Sequence, residues 1–188
     1  MSVAVPSSRP KMTEDAARAK LLEMGVDSSH KIAILGVRGY YADTIGEPNK
    51  NDRNVYDDAL FVVTENAYAS FNANTDPSVR RKNVAVLIPG VYTYIKGNHG
   101  ISRPGGGYPA LRQHGPVNVW RDGNGSKVFR GSGFAINIHK GSRNTTSSLG
   151  CQTIHPSQWD AFISLVYSEM RRLGTNKVTY VLVHGENA

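Results

Sequence analysis

Cys151 is the one cysteine of a chain that also carries six histidines, and its neighbours decide what chemistry it can do. A thiol attacks as its thiolate, so a catalytic cysteine needs a base or a positive charge beside it. Residues 136–153 read INIHKGSRNTTSSLGCQT. The alternating run from Phe134 to Ile138 predicts a strand that delivers His139 to its end. A loop of small residues follows and leads into Ser147-Ser148-Leu149-Gly150-Cys151-Gln152-Thr153. The stretch joining His139 to Cys151 is only a loop long, so both side chains can meet across one cleft. Cys151 is then the candidate nucleophile and His139 its base, raising the thiolate fraction. Gly150 permits a tight turn and a close substrate approach. The amides around Gly150 and Cys151 are candidates for an oxyanion hole, a device worth roughly 2.7–4 kcal/mol per donor. Ser148 and Gln152 flank the turn as supporting residues. The plain alternative is a surface histidine at a strand end and a packed Gly-Cys turn.

Further candidates are less compact. His99 and His114 fall in a glycine-rich stretch and are placed to line a cleft, or to be solvated loop residues. Arg38, Arg103 and Arg112 are candidates for bidentate pairing with substrate carboxylates. Tyr94 and Thr153 are further candidates for substrate contact, although Tyr92 and Tyr94 alternate along one strand and also suit the face of a sheet. His155 precedes a helix and reads as a residue near its N-cap. The histidines show no HExxH or similar paired spacing, so neither a metal nor another cofactor is expected.

The elements that must position these residues read as follows. Residues 1–11 are rich in Pro and Ser and predict a flexible N-terminal segment, with one catalytic domain over 12–188. Thr13, followed by Glu14 and Asp15, starts a short docking helix that Gly25 stops. Lys31–Val37, Leu60–Thr64 and Val84–Ile88 are strand-like runs, and Pro89-Gly90 turns the last into a hairpin partner, Val91–Ile95. Residues 43–58 and 97–116 read as long loops, the second a candidate for function. Val117–Trp120 is a strand, followed by a turn at 121–125. In Pro156–Arg172, Trp159, Phe162, Ile163, Val166 and Met170 share one helical face. Val178–Val183 is a final core strand. The expected fold class is α+β and strand-dominated, with a helix near each end of the sequence.

Length and composition fit one globular domain: 188 residues, 39% hydrophobic and 20% charged, enough to bury a core without disulfides or structural metals. The net charge of +7 favours polyanionic surroundings. The cations occur only in short clusters such as Arg80-Arg81-Lys82, so no nucleic-acid arm is read and no nucleic-acid partner is expected. The N-terminus lacks a basic stretch followed by an apolar one, and no apolar run is long enough to span a bilayer. The expectation is a chain made in the cytoplasm, without stable membrane insertion.

The segments Ile138-His139-Lys140-Gly141 and Ser148-Leu149-Gly150-Cys151 resemble the catalytic motif of the L,D-transpeptidases of the YkuD type. That motif has a strand-end His-Gly, a variable loop and Ser-x-Gly-Cys followed shortly by Arg. The resemblance implies a β-sandwich-like domain in which Cys151 attacks a carbonyl of a peptidoglycan stem peptide to form a thioester, with His139 as base. The chain departs from the motif in three ways: Gln152 and Thr153 stand where the Arg is expected, the loop is short, and Lys140 separates His139 from Gly141. These changes bear on substrate contacts and on the choice between transfer and hydrolysis more than on the pair itself. Most of the chain, from Ile34–Tyr41 through Phe71–Asp76 to the Gly-Cys-Gln-Thr element, looks like a group of phage-encoded proteins labelled endolysin or peptidoglycan hydrolase. That likeness implies a peptidoglycan substrate, synthesis in a host cytoplasm, release through a holin and action on the cell wall. Two further readings stay open: a transpeptidase forming cross-links, and an inactive wall-binding or structural module.

Overall fold

The computed structural model describes residues 2–102 and 104–185; the expectation for Arg103 lies outside them. The described residues form a strand-dominated α+β fold with two helices and a large mixed sheet. Eight strands form that sheet: β1 (Ile32–Arg38), β2 (Asp58–Thr64), β3 (Tyr68–Asn74), β5 (Gly90–His99), β6 (Tyr108–His114), β9 (Ile138–Lys140), β10 (Gln152–Ile154) and β11 (Lys177–His184). They close on themselves in the order β1-β11-β5-β6-β9-β10-β3-β2. Neighbours are antiparallel except the parallel pairs β1–β11 and β9–β10. A second sheet of order β4-β7-β8 is built from Ala85–Leu87, Val117–Arg121 and Phe129–Gly131. Among the described residues no helix is long and apolar enough to cross a membrane.

Burial on both faces explains the unbroken apolar runs. All seven residues of β1 are buried. Ile32 and Ile34 join the inner core, while Ala33, Leu35 and Val37 join a second cluster with Ala17 and Leu21 of α1 (Glu14–Glu23). A strand covered on both sides loses the polar alternation of a half-exposed one. Thr13 caps α1, its hydroxyl accepting from Ala16 N–H at 3.2 Å. Helix α2 (Pro156–Arg172) opens with His155 as N-cap and Pro156 in its first turn, where a missing N–H costs nothing. Trp159, Phe162, Ile163, Val166 and Met170 bury its apolar face in the inner core. The small sheet adds Leu87, Val117 and Val119 to the same core.

Several expectations are corrected. β4 does not pair with β5 as a hairpin: β4 lies against β7 in the small sheet, and β5 lies between β11 and β6. The stretch 97–116 is mostly the β5–β6 hairpin, and its irregular described residues are 100–102 and 104–107. Its glycines made a paired segment look like a loop. The strand before His139 starts only at Ile138, so His139 sits in the middle of β9, not at the end of a longer strand. Residues 2–11 form neither helix nor strand, but they run as a strap along the sheet. Val3 N–H donates to Arg143 O at 2.8 Å and Tyr56 N–H to Ala4 O at 3.1 Å. Ser70 Oγ donates to Pro10 O at 2.7 Å.

Three carboxylates and one guanidinium lie buried where β1, β2 and β3 end: Asp57, Asp58, Asp76 and Arg38. Burial, reinforced by the Asp58 charge, pushes the Asp57 carboxyl up to about 9. Only one of its oxygens is matched, by Asp52 N–H at 2.8 Å, while Oδ1 has no partner among the described residues. A carboxyl raised in the folded state contributes stability below its unfolded range, near pH 4, that is lost as pH climbs towards the folded value. Asp57→Asn is therefore expected to melt at a higher temperature than wild type at pH 8, with the gain shrinking towards pH 5. A variant equally or less stable at pH 8 would contradict the burial argument. Thermal melts at both pH values decide it.

Candidate active site

Two short parallel strands build the site. β9 and β10 pair with Gln152 opposite Ile138 and Thr153 opposite His139. Carrying that register back one residue sets Cys151 beside Asn137. The hydrogen bonds agree: Gln152 N–H donates to Asn137 O at 2.9 Å, and Asn137 N–H donates to Cys151 Sγ at 3.4 Å. The thiol donates in turn to Ala135 O at 3.4 Å. Asn137 stands two residues before His139, so its bond to the sulfur ties the cysteine to the segment that leads into β9.

The turn holding Cys151 is fixed from several directions. Gly150 has φ +130°, a region few side chains tolerate. A Cβ there would lie 2.7 Å from Ala85 O and 2.8 Å from Ile136 Cδ1. The turn therefore rests directly on β4, and only glycine fits. Ser148 Oγ donates to Cys151 O at 2.7 Å and accepts from Gly150 N–H at 3.0 Å. Gln152 Nε2 donates to Gly150 O at 3.2 Å, and its Oε1 accepts from Tyr180 OH at 2.9 Å. Ser148 and Gln152 thus brace the turn. The expected pair of oxyanion amides is corrected to one, because the Gly150 N–H is already taken by Ser148. The Cys151 N–H has no acceptor among the described residues.

His139 is 3% exposed. Its Nδ1 lies 2.8 Å from Lys140 O, and a carbonyl can only accept. Nδ1 therefore carries a proton. Tyr108 OH donates to the same carbonyl at 3.2 Å and lies 3.1 Å from Nδ1. Tyr108 is seated edge-on against Trp159 of α2, so the helix helps set the histidine. The His99 ring stacks on His139 with centroids 3.8 Å apart and planes 12° from parallel. Asn137 Oδ1 accepts from Gln113 N–H at 3.1 Å, which turns Nδ2 towards His99 Nδ1 at 3.4 Å. The amide then donates, and His99 Nδ1 accepts. Asn137 therefore reaches the cysteine through its backbone and His99 through its side chain.

The sulfur is not electrostatically primed. Burial pushes the Cys151 thiol up to about 11, opposed in part by the Asn137 N–H. Although the residue is only half-buried, the resting thiol holds its proton at neutral pH. Burial at Cys151 thus works against the thiolate.

Of the residues proposed for substrate contact, His99 is at the site and half-buried. The other three are inside the protein. Tyr94 and Thr153 are each 0% exposed. The Tyr94 phenol, with no hydrogen-bond partner among the described residues, is held well above its ordinary range by burial. Arg38 is committed to Thr75, through Oγ1 at 3.0 Å and the carbonyl at 2.8 Å, and to Asp76. None of these three can meet a substrate without rearrangement. Arg112 and His114 lie exposed on β6, away from the cleft reading given to a loop. His155 caps α2, its Nδ1 accepting from Ser157 N–H at 3.3 Å. Among the described residues no group of three or more His, Cys, Asp or Glu side chains is placed to hold a metal.

Sequence reasoning missed Asn137, Tyr108 and the Lys140 carbonyl. Asn137 carried a usable signal, a polar residue two positions before His139 on a strand. Tyr108 carried none once its strand was read as loop. Compared with models of protein families, with curated proteins and with solved structures, the chain matches none.

Proposed function

We propose that this chain is a cysteine peptidase of bacterial peptidoglycan with an L,D-transpeptidase-like β-sandwich fold, cleaving a stem or cross-link peptide bond through a Cys151 thioester. The observation that carries the reading is the His139 imidazole held through Nδ1 by Lys140 O, on the strand paired with the one that follows the Gly150–Cys151 turn. Because burial keeps the thiol protonated, the proton leaves during attack. Nε2 of His139 takes it as sulfur bonds to the carbonyl carbon, and the Cys151 N–H faces the developing oxyanion. The C–N bond then breaks, and His139 returns the proton to the departing amine. Water attacks the thioester, giving one proton to His139. The C–S bond breaks, and that proton restores the thiol. Rate gains near 10²–10⁴ are typical of a positioned general base.

The same reading places synthesis in a host cytoplasm and action at the wall after release through a holin, and it rests there on the likeness to phage-encoded proteins. Transfer to an amine shares the thioester, so products decide between the two outcomes. Purified sacculi digested in part-heavy water are expected to yield shortened or uncoupled stems carrying heavy oxygen, read by mass spectrometry. New dimers without net cleavage would favour the transpeptidase reading instead.

A further inference from the structure

The buried polar cluster where β1, β2 and β3 end takes no part in the chemistry above, and its bonding leaves oxygens unused. Carrying the β2–β3 register one residue past Asp58 and Ala73 sets Asp57 directly opposite Asn74. Residues so opposed present their side chains on one face of the sheet. Both are 0% exposed. Each is pinned at one end only. Asp57 Oδ2 accepts from Asp52 N–H at 2.8 Å, and Asn74 Nδ2 donates to Asp76 O at 2.5 Å. Half-buried Asn51, the neighbour of Asp52, joins them by donating from Nδ2 to the Asp76 carboxylate. A carbonyl and a carboxylate only accept, so both amides must turn their nitrogens to Asp76 and their oxygens away. What remains is Asp57 Oδ1, Asn74 Oδ1 and Asn51 Oδ1, all buried and all without a hydrogen-bond partner among the described residues.

We propose that these three oxygens are protein ligands of a calcium ion, an assignment that does not depend on the peptidase reading. All three are acceptors. One water can donate to two of them at most, whereas calcium gathers carboxylate and amide oxygens and completes its shell with water. The charge matches a divalent ion, because the buried carboxylates of Asp57, Asp58 and Asp76 outnumber the Arg38 guanidinium by two. Burial and the Asp58 charge push the Asp57 carboxyl up to about 9, and a cation beside Oδ1 would relieve that strain on the carboxylate. Magnesium fits less well, since it demands a near-octahedral shell and sheds water reluctantly. Two of the three donors are amides, so the set differs in kind from a group of three His, Cys, Asp or Glu ligands, which does not occur among the described residues. The loop that carries Asn51 also reaches the stretch between His139 and Cys151, where Asn54 Oδ1 accepts from Thr146 N–H at 2.9 Å. An ion held by Asn51 would steady that stretch from below.

The test is calorimetric titration of the chelator-stripped full chain with calcium chloride at pH 8, with thermal melts in parallel. One ion per chain is expected, with Kd on the order of 10⁻⁴–10⁻³ M, the weak end of the calcium range that suits so few charged ligands. At about 10 mM calcium the melting temperature should rise by roughly 3–10 °C. Asp57→Asn should bind calcium roughly tenfold or more weakly. In chelator it should still melt above wild type, as the burial argument requires, so a lost calcium response would not reflect a lost fold. Asn51→Ala, in a half-buried loop, should weaken calcium roughly fivefold. A wild-type melt that calcium moves no further than sodium chloride of equal ionic strength would overturn the assignment. So would equal stabilisation by magnesium, or wild-type calcium affinity in both variants.

Discussion

Replacing Cys151 with alanine is expected to reduce muropeptide release by at least roughly 1,000-fold, since losing a covalent nucleophile removes the whole two-step route, while the protein keeps its fold. The fold should survive because the side chain makes only two long contacts, from Asn137 N–H and to Ala135 O, each at 3.4 Å. Bonds of that length to sulfur are weak. Trimming one atom from a half-buried position costs on the order of 1 kcal/mol or less. The turn itself is held by Ser148, Gln152 and the contact with Ala85, none of which needs the sulfur. The check is a parallel measurement of release rate and melting temperature. Wild-type release from a folded Cys151→Ala protein would remove the covalent mechanism and leave the wall-binding reading.

His139→Ala is the second large effect, a loss of about 10²–10⁴ in turnover. The argument turns on where the thiol proton rests. Were the cysteine and histidine a preformed ion pair, wild-type labelling by iodoacetamide would titrate near or below neutrality, and His139→Ala would abolish that step. Burial instead pushes the thiol up to about 11, so labelling should be slow at pH 7 and still rising at pH 10. That rise should persist in His139→Ala even though its turnover has collapsed. The split separates a base that acts during attack from one that ionises the thiol beforehand. A neutral-range titration in the wild type, lost in the variant, would show the pair to be preformed. Unimpaired turnover in His139→Ala would exclude His139 as the base.

The part of this arrangement that was legible in the sequence had a periodic or steric cause. Helix α2 was readable because its apolar residues recur with helical spacing and Pro156 marks its start. β1 and β11 were readable because strands covered on both faces become unbroken β-branched runs. The Ser148-x-Gly150-Cys151 turn was readable because glycine in front of a cysteine implies a backbone that a larger residue would block. What stayed hidden depends on partners distant in the chain. β3 (YASFNAN) and β10 (QTI) have little strand propensity of their own and are fixed by the neighbours they pair with. Arg38 looked available to a substrate because nothing local reveals that Thr75 and Asp76 enclose it. Gln152, where an arginine was expected, gave no hint of bonding inward to Tyr180.

The parallel pairing of β1 with β11 has a bearing on how the molecule is made. β11 enters the ring between β1 and β5, so both of those strands have an unsatisfied edge until Lys177–His184 has left the ribosome. Pairings so remote in sequence carry a large loop-closure cost before any contact compensates, which makes for slow folding. Bare edges of apolar strands are templates for pairing with other chains. Synthesis truncated before residue 177 should therefore give aggregates rather than a smaller soluble domain, and yield in a cell should depend on how quickly the last strand closes the ring.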